Sequence, residues 1–175
     1  MIKNVNLTST GGSRMGLKNA LGVSLGICAL VYTYLALSVI SIIGAAAIWG
    51  GFIAWGSYFT VGKDALTKNI SANIFGAVLA GVAVLIYGQI GMAGEFAWPI
   101  AVGVTVWALT IVPSLGHAPA NVFGYAATFG YMLLTGTTGD VTALAVSNPI
   151  VTMSIAMVVG SVFGLISEKV AAKLG

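Results

Sequence analysis

The chain has 175 residues, of which 58% are hydrophobic and only 6% charged, and its mean hydropathy is +1.03. Seven basic and four acidic residues cannot clothe a water-soluble domain, where about a quarter of residues carry charge, so a soluble enzyme or binding domain is excluded. The net charge of +3 forms no basic stripe, so membrane lipid rather than nucleic acid is the expected partner.

The opening MIKNVNLTSTGGSRMGLKN is polar, carries Lys3, Arg14 and Lys18, and shows neither an apolar core nor a secretory cleavage site. Residues 1–18 are expected to form a short cytoplasmic arm. Gly, Pro and polar punctuation then divides the chain into six apolar segments, at 19–36, 38–60, 67–90, 97–115, 118–136 and 143–167. Each is long enough to cross about 30 Å of hydrocarbon as a helix. The expected fold is therefore an all-α membrane protein, one domain of six transmembrane helices over 19–170. No charged residue separates the first two segments, and a tight turn near Ser38 follows from length alone.

Charge placement supports this count. With the N-terminus inside, Lys3, Arg14, Lys18, Lys63, Lys68, Lys169 and Lys173 all fall in or beside cytoplasmic segments, while Glu95 and Asp140 lie outside. That is the asymmetry expected of a multi-pass protein of the plasma membrane or bacterial inner membrane, here with both termini cytoplasmic.

In the first segment the single cysteine, Cys28, is expected to be a small buried hydrophobe. The second carries WGGFIAWG, with Trp49, Phe52, Gly56 and Phe59 at 3–4–3 spacing on one helical face. Asn69 and Asn73 stand one turn apart at the start of the third. Tyr87 and Trp98, near segment ends, are expected to anchor at the interface. His117, in the turn before the fifth segment, has no companion at metal-ligand spacing, so no metal site and no cofactor is expected. The fifth segment opens on Asn121, which shares a face with Tyr125, Thr128 and Met132, and carries FGYAATFG with Phe123, Ala127 and Gly130 on another face. The sixth opens on Asn148–Pro149. GxxxG pairs at Gly22/Gly26 and Gly160/Gly164, and the pair Gly76/Ala80, mark close helix packing. A homo-oligomer follows, with a trimer expected by analogy with other small channels.

WGGFIAWG and FGYAATFG align at a fixed offset: Trp49 falls on Phe123, Gly50 on Gly124, Ala54 on Thr128, Trp55 on Phe129 and Gly56 on Gly130. With a short insertion, Asn69 then meets Asn148 and Gly81 meets Gly160. A duplication with half-repeats at about 19–92 and 95–170 is the reading. Three spans per half force the second half to insert upside down, an inverted repeat of the kind transport folds use. No Asp, Glu, Lys or Arg lies deep in a segment, which argues against a proton relay and for a small neutral solute or a gas. The candidate pathway-lining residues are Trp49, Phe52, Trp55, Phe59, Asn69, Asn73, Asn121, Phe123, Thr128, Phe129 and Asn148. For the asparagines, capping of helix N-termini is the competing role.

The stretches IWGGFIAWGSYF, ANIFGAVLAG, PANVFGYAATFG and AMVVGSVFGLI resemble a family of small bacterial inner-membrane proteins known as domain of unknown function 1097. The resemblance covers about 40–170 and implies a membrane protein without assigning it an activity. More distantly, size and character are similar to an algal low-CO2-inducible membrane CO2 channel, which implies conduction of CO2. Neither likeness transfers a catalytic or binding residue. The leading function is a channel or facilitator for a small neutral solute or gas, such as CO2 or a urea-like molecule. The alternatives are an ion-coupled secondary transporter, with helices broken at Gly50–Gly51 and Asn148–Pro149, and an accessory or assembly subunit. An enzyme is not expected, because no nucleophile, base or metal set is arranged.

Overall fold

The structure, a computed structural model, describes residues 15–38, 44–112, 115 and 117–175. Among these the regular structure is all helical: α1 (Leu17–Ser38), α2 (Gly44–Val61), α3 (Ala65–Gln89), α4 (Ala97–Ile111), α5 (Ala120–Thr135) and α6 (Pro149–Leu174). Short 3-10 turns occupy Gly91–Phe96 and Thr137–Asp140. The expected N-terminal arm lies outside the described residues as far as Arg14, and Leu17 and Lys18 already belong to α1. The turn expected near Ser38 also lies outside them, at 39–43.

Four stretches are long and apolar enough to cross a membrane: Leu17–Ser38, Ala65–Gln89, Gly91–Ile111 and Pro149–Leu174. They suggest a multi-pass membrane protein. The other two helices fall outside that set: the 18 residues of α2 rise about 27 Å and the 16 of α5 about 24 Å. These are the helices that carry the two aromatic–glycine motifs.

Local chemistry sets the helix ends. α2 stops at Val61 because the next residues leave helical space: Gly62 has φ +78° and Asp64 φ 58°, a left-handed region open to glycine and tolerated by Asp. At the end of α5, Gly136 adopts φ 69° and its N–H donates to Met132 O, closing the helix as a glycine C-cap. Asn148 caps α6, its Oδ1 accepting from Ile150 N at 2.9 Å, with Pro149 in the first turn.

The sixth segment needs correction, because α6 begins at Pro149 rather than 143 and runs to Leu174 rather than 167. Asn148 Nδ2 donates to Val141 O at 3.0 Å and Ala143 O at 2.9 Å, which folds 141–148 into a compact turn. At the other end the apolar stretch finishes before the helix does, and Lys173 in the last turn complements the helix dipole. The break at Gly50–Gly51 that belongs to the secondary-transporter alternative does not occur, since α2 is continuous through both glycines.

Helix directions alternate. Met15 N donates to Leu174 O at 3.3 Å, placing the start of α1 beside the end of α6. The tightest pairs are α2 along α6 and α3 along α5. Around them α1 lies on α6 and α4 on α3, while α2 meets α5 and α3 meets α6. Small residues allow these approaches. A Cβ on Gly160 would fall on the backbone of Gly51, and one on Gly76 or Gly124 would strike the backbone of the facing helix of the α3–α5 pair. The Gly22/Gly26 motif of α1 behaves differently: a Cβ on either would meet nothing within 4 Å.

Candidate functional site

On α2 the outward stripe includes Ala46, Trp49, Ile53 and Gly56; on α5 it includes Phe123, Ala126 and Leu134. Helical spacing of three and four brings each set onto one face. Where the stripes meet, Gly56, Ala126, Ala127 and Gly130 supply almost no side chain, so the seam is hollow. One hollow, about 460 Å³, is bounded by Phe52, Ile53, Gly56, Ser57, Thr60, Phe123, Ala126 and Ala127. Its neighbour, about 480 Å³, shares Ile53, Ala126 and Ala127 and adds Trp49, Gly130, Tyr131 and Leu134. The two hollows adjoin at these shared residues and together mark an apolar groove along the α2–α5 seam. A Cβ on Gly56 or Gly130 would meet nothing within 4 Å, so neither glycine is there to admit another helix of the same chain. A third hollow, about 290 Å³, lies between α1 and α2 against Phe52, Trp55 and Phe59.

Behind the groove wall sits a polar network built by α2, α3 and α6. Asn69 donates from Nδ2 to Ala54 O and to Ser161 Oγ, both at 2.8 Å. Its Oδ1 accepts from Ser57 Oγ and from Asn73 Nδ2. Asn73 Nδ2 also reaches Ser57 Oγ at 3.0 Å and Asn69 O at 2.8 Å. Ser57, Asn69, Asn73 and Ser161 are all buried, and all are neutral. Asn69 and Asn73 therefore do not cap α3; they lie inside it, and Asp64 occupies the N-cap position. Ser57 belongs to both features, as wall of the groove and member of the network.

The remaining candidates serve packing and helix ends. Trp55 is buried against Phe52 and Phe163, and its Nε1 donates to Ser167 Oγ at 2.9 Å. Phe129 stacks on Tyr125 and meets the ring of Trp98 edge-on. Trp98 in turn stacks on Tyr87, with centroids 3.9 Å apart. Asn121 lies in the first turn of α5 behind the N-cap Pro119 and donates from Nδ2 to Leu109 O at 2.7 Å, so it ties α5 to α4. Thr128 donates back to Gly124 O at 2.9 Å, and Asn148 is the cap of α6. Trp49, Phe52 and Phe123 border the seam groove, while Phe59 borders the α1–α2 hollow.

Two partnerships were not visible from spacing. Ser57 and Ser161 join the asparagines from helices distant in sequence. Glu168, placed by the sequence beyond the sixth segment, lies within α6 and accepts a hydrogen bond from Tyr58 Oη of α2. Among the described residues, no group of three or more His, Cys, Asp or Glu side chains is arranged to hold a metal ion.

Residues 22–172 match the family described as "Protein of unknown function (DUF1097)". The chain belongs to the DUF1097 family. The match takes in the seam, the polar network, most of α1 and nearly all of α6, so this site is part of the DUF1097 domain rather than an appendage to it. No curated protein and no solved structure matches the chain, and the distant likeness to an algal CO2 channel gains no support.

Proposed function

We propose that this DUF1097 protein is a passive membrane facilitator for a small neutral solute or gas, with the α2–α5 seam as its route. One observation carries the reading: the groove is lined from both helices by residues that the repeat pairs, Trp49 with Phe123 and Gly56 with Gly130. A duplicated packing motif would bury these positions within the protomer, yet here they border open space.

The neighbour pattern supports an inverted 3+3 repeat of six spans. Exchanging α1 with α4, α2 with α5 and α3 with α6 returns the same set of contacts: α2–α6 becomes α5–α3, α1–α6 becomes α4–α3, and α2–α5 and α3–α6 map onto themselves. The seam then lies on the axis relating the halves, where inverted-repeat transporters place their solute route. The uninterrupted α2 favours a channel over alternating access through broken helices.

The groove is open along one side, and in this reading a second copy of the chain closes it in a homo-oligomer. Both termini face the cytoplasm of a plasma or bacterial inner membrane, and no chemistry is performed on the solute. Stopped-flow measurement of urea, glycerol and CO2 entry into proteoliposomes tests the proposal. Flux above that of empty liposomes without an ion gradient supports it; flux that needs a Na⁺ or proton gradient replaces it with coupled transport.

A further inference from the structure

The network behind the seam leaves one atom unmet. Asn73 is fully buried, and its Oδ1 is the buried side-chain oxygen with no hydrogen-bond partner among the described residues. The amide cannot relieve this by turning over. Its Nδ2 already faces Asn69 O and Asn69 Oδ1, and a half-turn would set oxygen against those two acceptors. A buried acceptor without a donor is costly, and such exceptions call for an explanation.

The chemistry of the surroundings narrows what satisfies it. Asn69 and Asn73 direct their N–H groups into the cluster, which opposes a cation. No Lys, Arg or His belongs to it, which opposes an anion. CO2 and O2 carry no donor and gain nothing from a free carbonyl oxygen. What fits is a neutral molecule with an N–H or O–H group. Ser57 stands between the two: it borders the hollow, is hydrogen-bonded to Asn73 and is buried with it, so a solute meets the carbonyl only by displacing the Ser57 side chain.

Resting on the transport reading of the α2–α5 seam, we propose that Asn73 Oδ1 recognises small neutral hydrogen-bond donors, of the urea, amide or water class, as they pass Ser57. The solute is selected by its donor, and Ser57 and Asn69 hold the acceptor in place. A site built around a hydrogen bond discriminates strongly against molecules lacking the matching group. Donor-free gases therefore gain no help from the protein.

The test combines flux with a direct view of the carbonyl. Full-length wild type, Asn73→Leu and Ser57→Ala are reconstituted in liposomes, and entry of urea, water and CO2 is followed separately. Wild type is expected to accelerate urea, water or both and to leave CO2 at the liposome background. Asn73→Leu is expected to lower donor flux about tenfold, as loss of one well-placed hydrogen bond to the solute requires. Ser57→Ala keeps the bonds between Asn73 and Asn69 and carries the same test, with a several-fold loss, where Asn73→Leu does not fold. In parallel, infrared spectra of the protein labelled with 13C-asparagine are recorded with and without urea. A carbonyl band that is absent from the folded variant Asn73→Leu should shift to lower frequency on urea addition. Acceleration of CO2 alone, unchanged donor flux in both variants, or a band indifferent to urea overturns the proposal. A shifted band without flux retains the donor site and instead overturns the transport reading.

Discussion

Gly160 of α6 faces Gly51 of α2 so closely that a Cβ on Gly160 would overlap the Gly51 backbone. In lipid no hydrophobic drive brings helices together, so this approach is where the α2–α6 pair gains its packing. Gly160→Ala is expected to lower thermal stability by about 1–3 kcal/mol, the usual cost of overpacking. Gly26→Ala in the open motif of α1 is expected to stay within about 0.5 kcal/mol of wild type. Melting curves of both variants in one detergent make the comparison.

The buried network predicts an asymmetric response to polar deletion. Asn69→Leu removes the bonds to Ala54 O, Ser161 and Ser57 together, leaving buried polar groups unpaired, and is expected to cost about 1–3 kcal/mol. Ser71→Ala, whose hydroxyl bonds only its own helix at Lys68 O, is expected to be near neutral. The same melting assay separates them.

Side-chain bulk in the seam is expected to stop flux without harming the fold. Gly56→Phe and Gly130→Phe project into space that holds no other atom within 4 Å of the new Cβ. Their melting temperatures should match wild type while solute flux falls at least about tenfold, a barrier increase of roughly 1.4 kcal/mol. The pair of readouts distinguishes an obstructed route from a damaged protein.

Topology gives a separate check. In a Cys28→Ala background, cysteines introduced at Lys63 and Asp140 should react with impermeant maleimide from opposite faces of sealed vesicles. Labelling of both from one face would contradict six crossings.

Much of the helix count was legible because its markers are local: Gly62 and Gly136 in left-handed turns, and Asn148–Pro149 at a helix start. The end of α6 was not, since hydropathy reports where the lipid stops and α6 continues past it through Glu168 and Lys169. Asn148 caps its helix as its position suggests, but for two other asparagines the local signal points the wrong way. Asn69 and Asn73 stand near a helix start, where capping is the local expectation, but their partners Ser57 and Ser161 are 12 and 92 residues from Asn69. No spacing rule reveals that. The glycines show the same limit: Gly160 seats another helix and Gly130 borders a groove, a difference created only by tertiary packing.

The most direct measurement is urea entry into proteoliposomes containing the wild-type chain, with no ion gradient, set against empty liposomes and against Gly130→Phe. Faster entry with wild type, returned to background by Gly130→Phe, is the result predicted for a neutral-solute route along the α2–α5 seam. Entry equally fast with Gly130→Phe would contradict that route, and entry no faster than through empty liposomes would contradict urea as its solute.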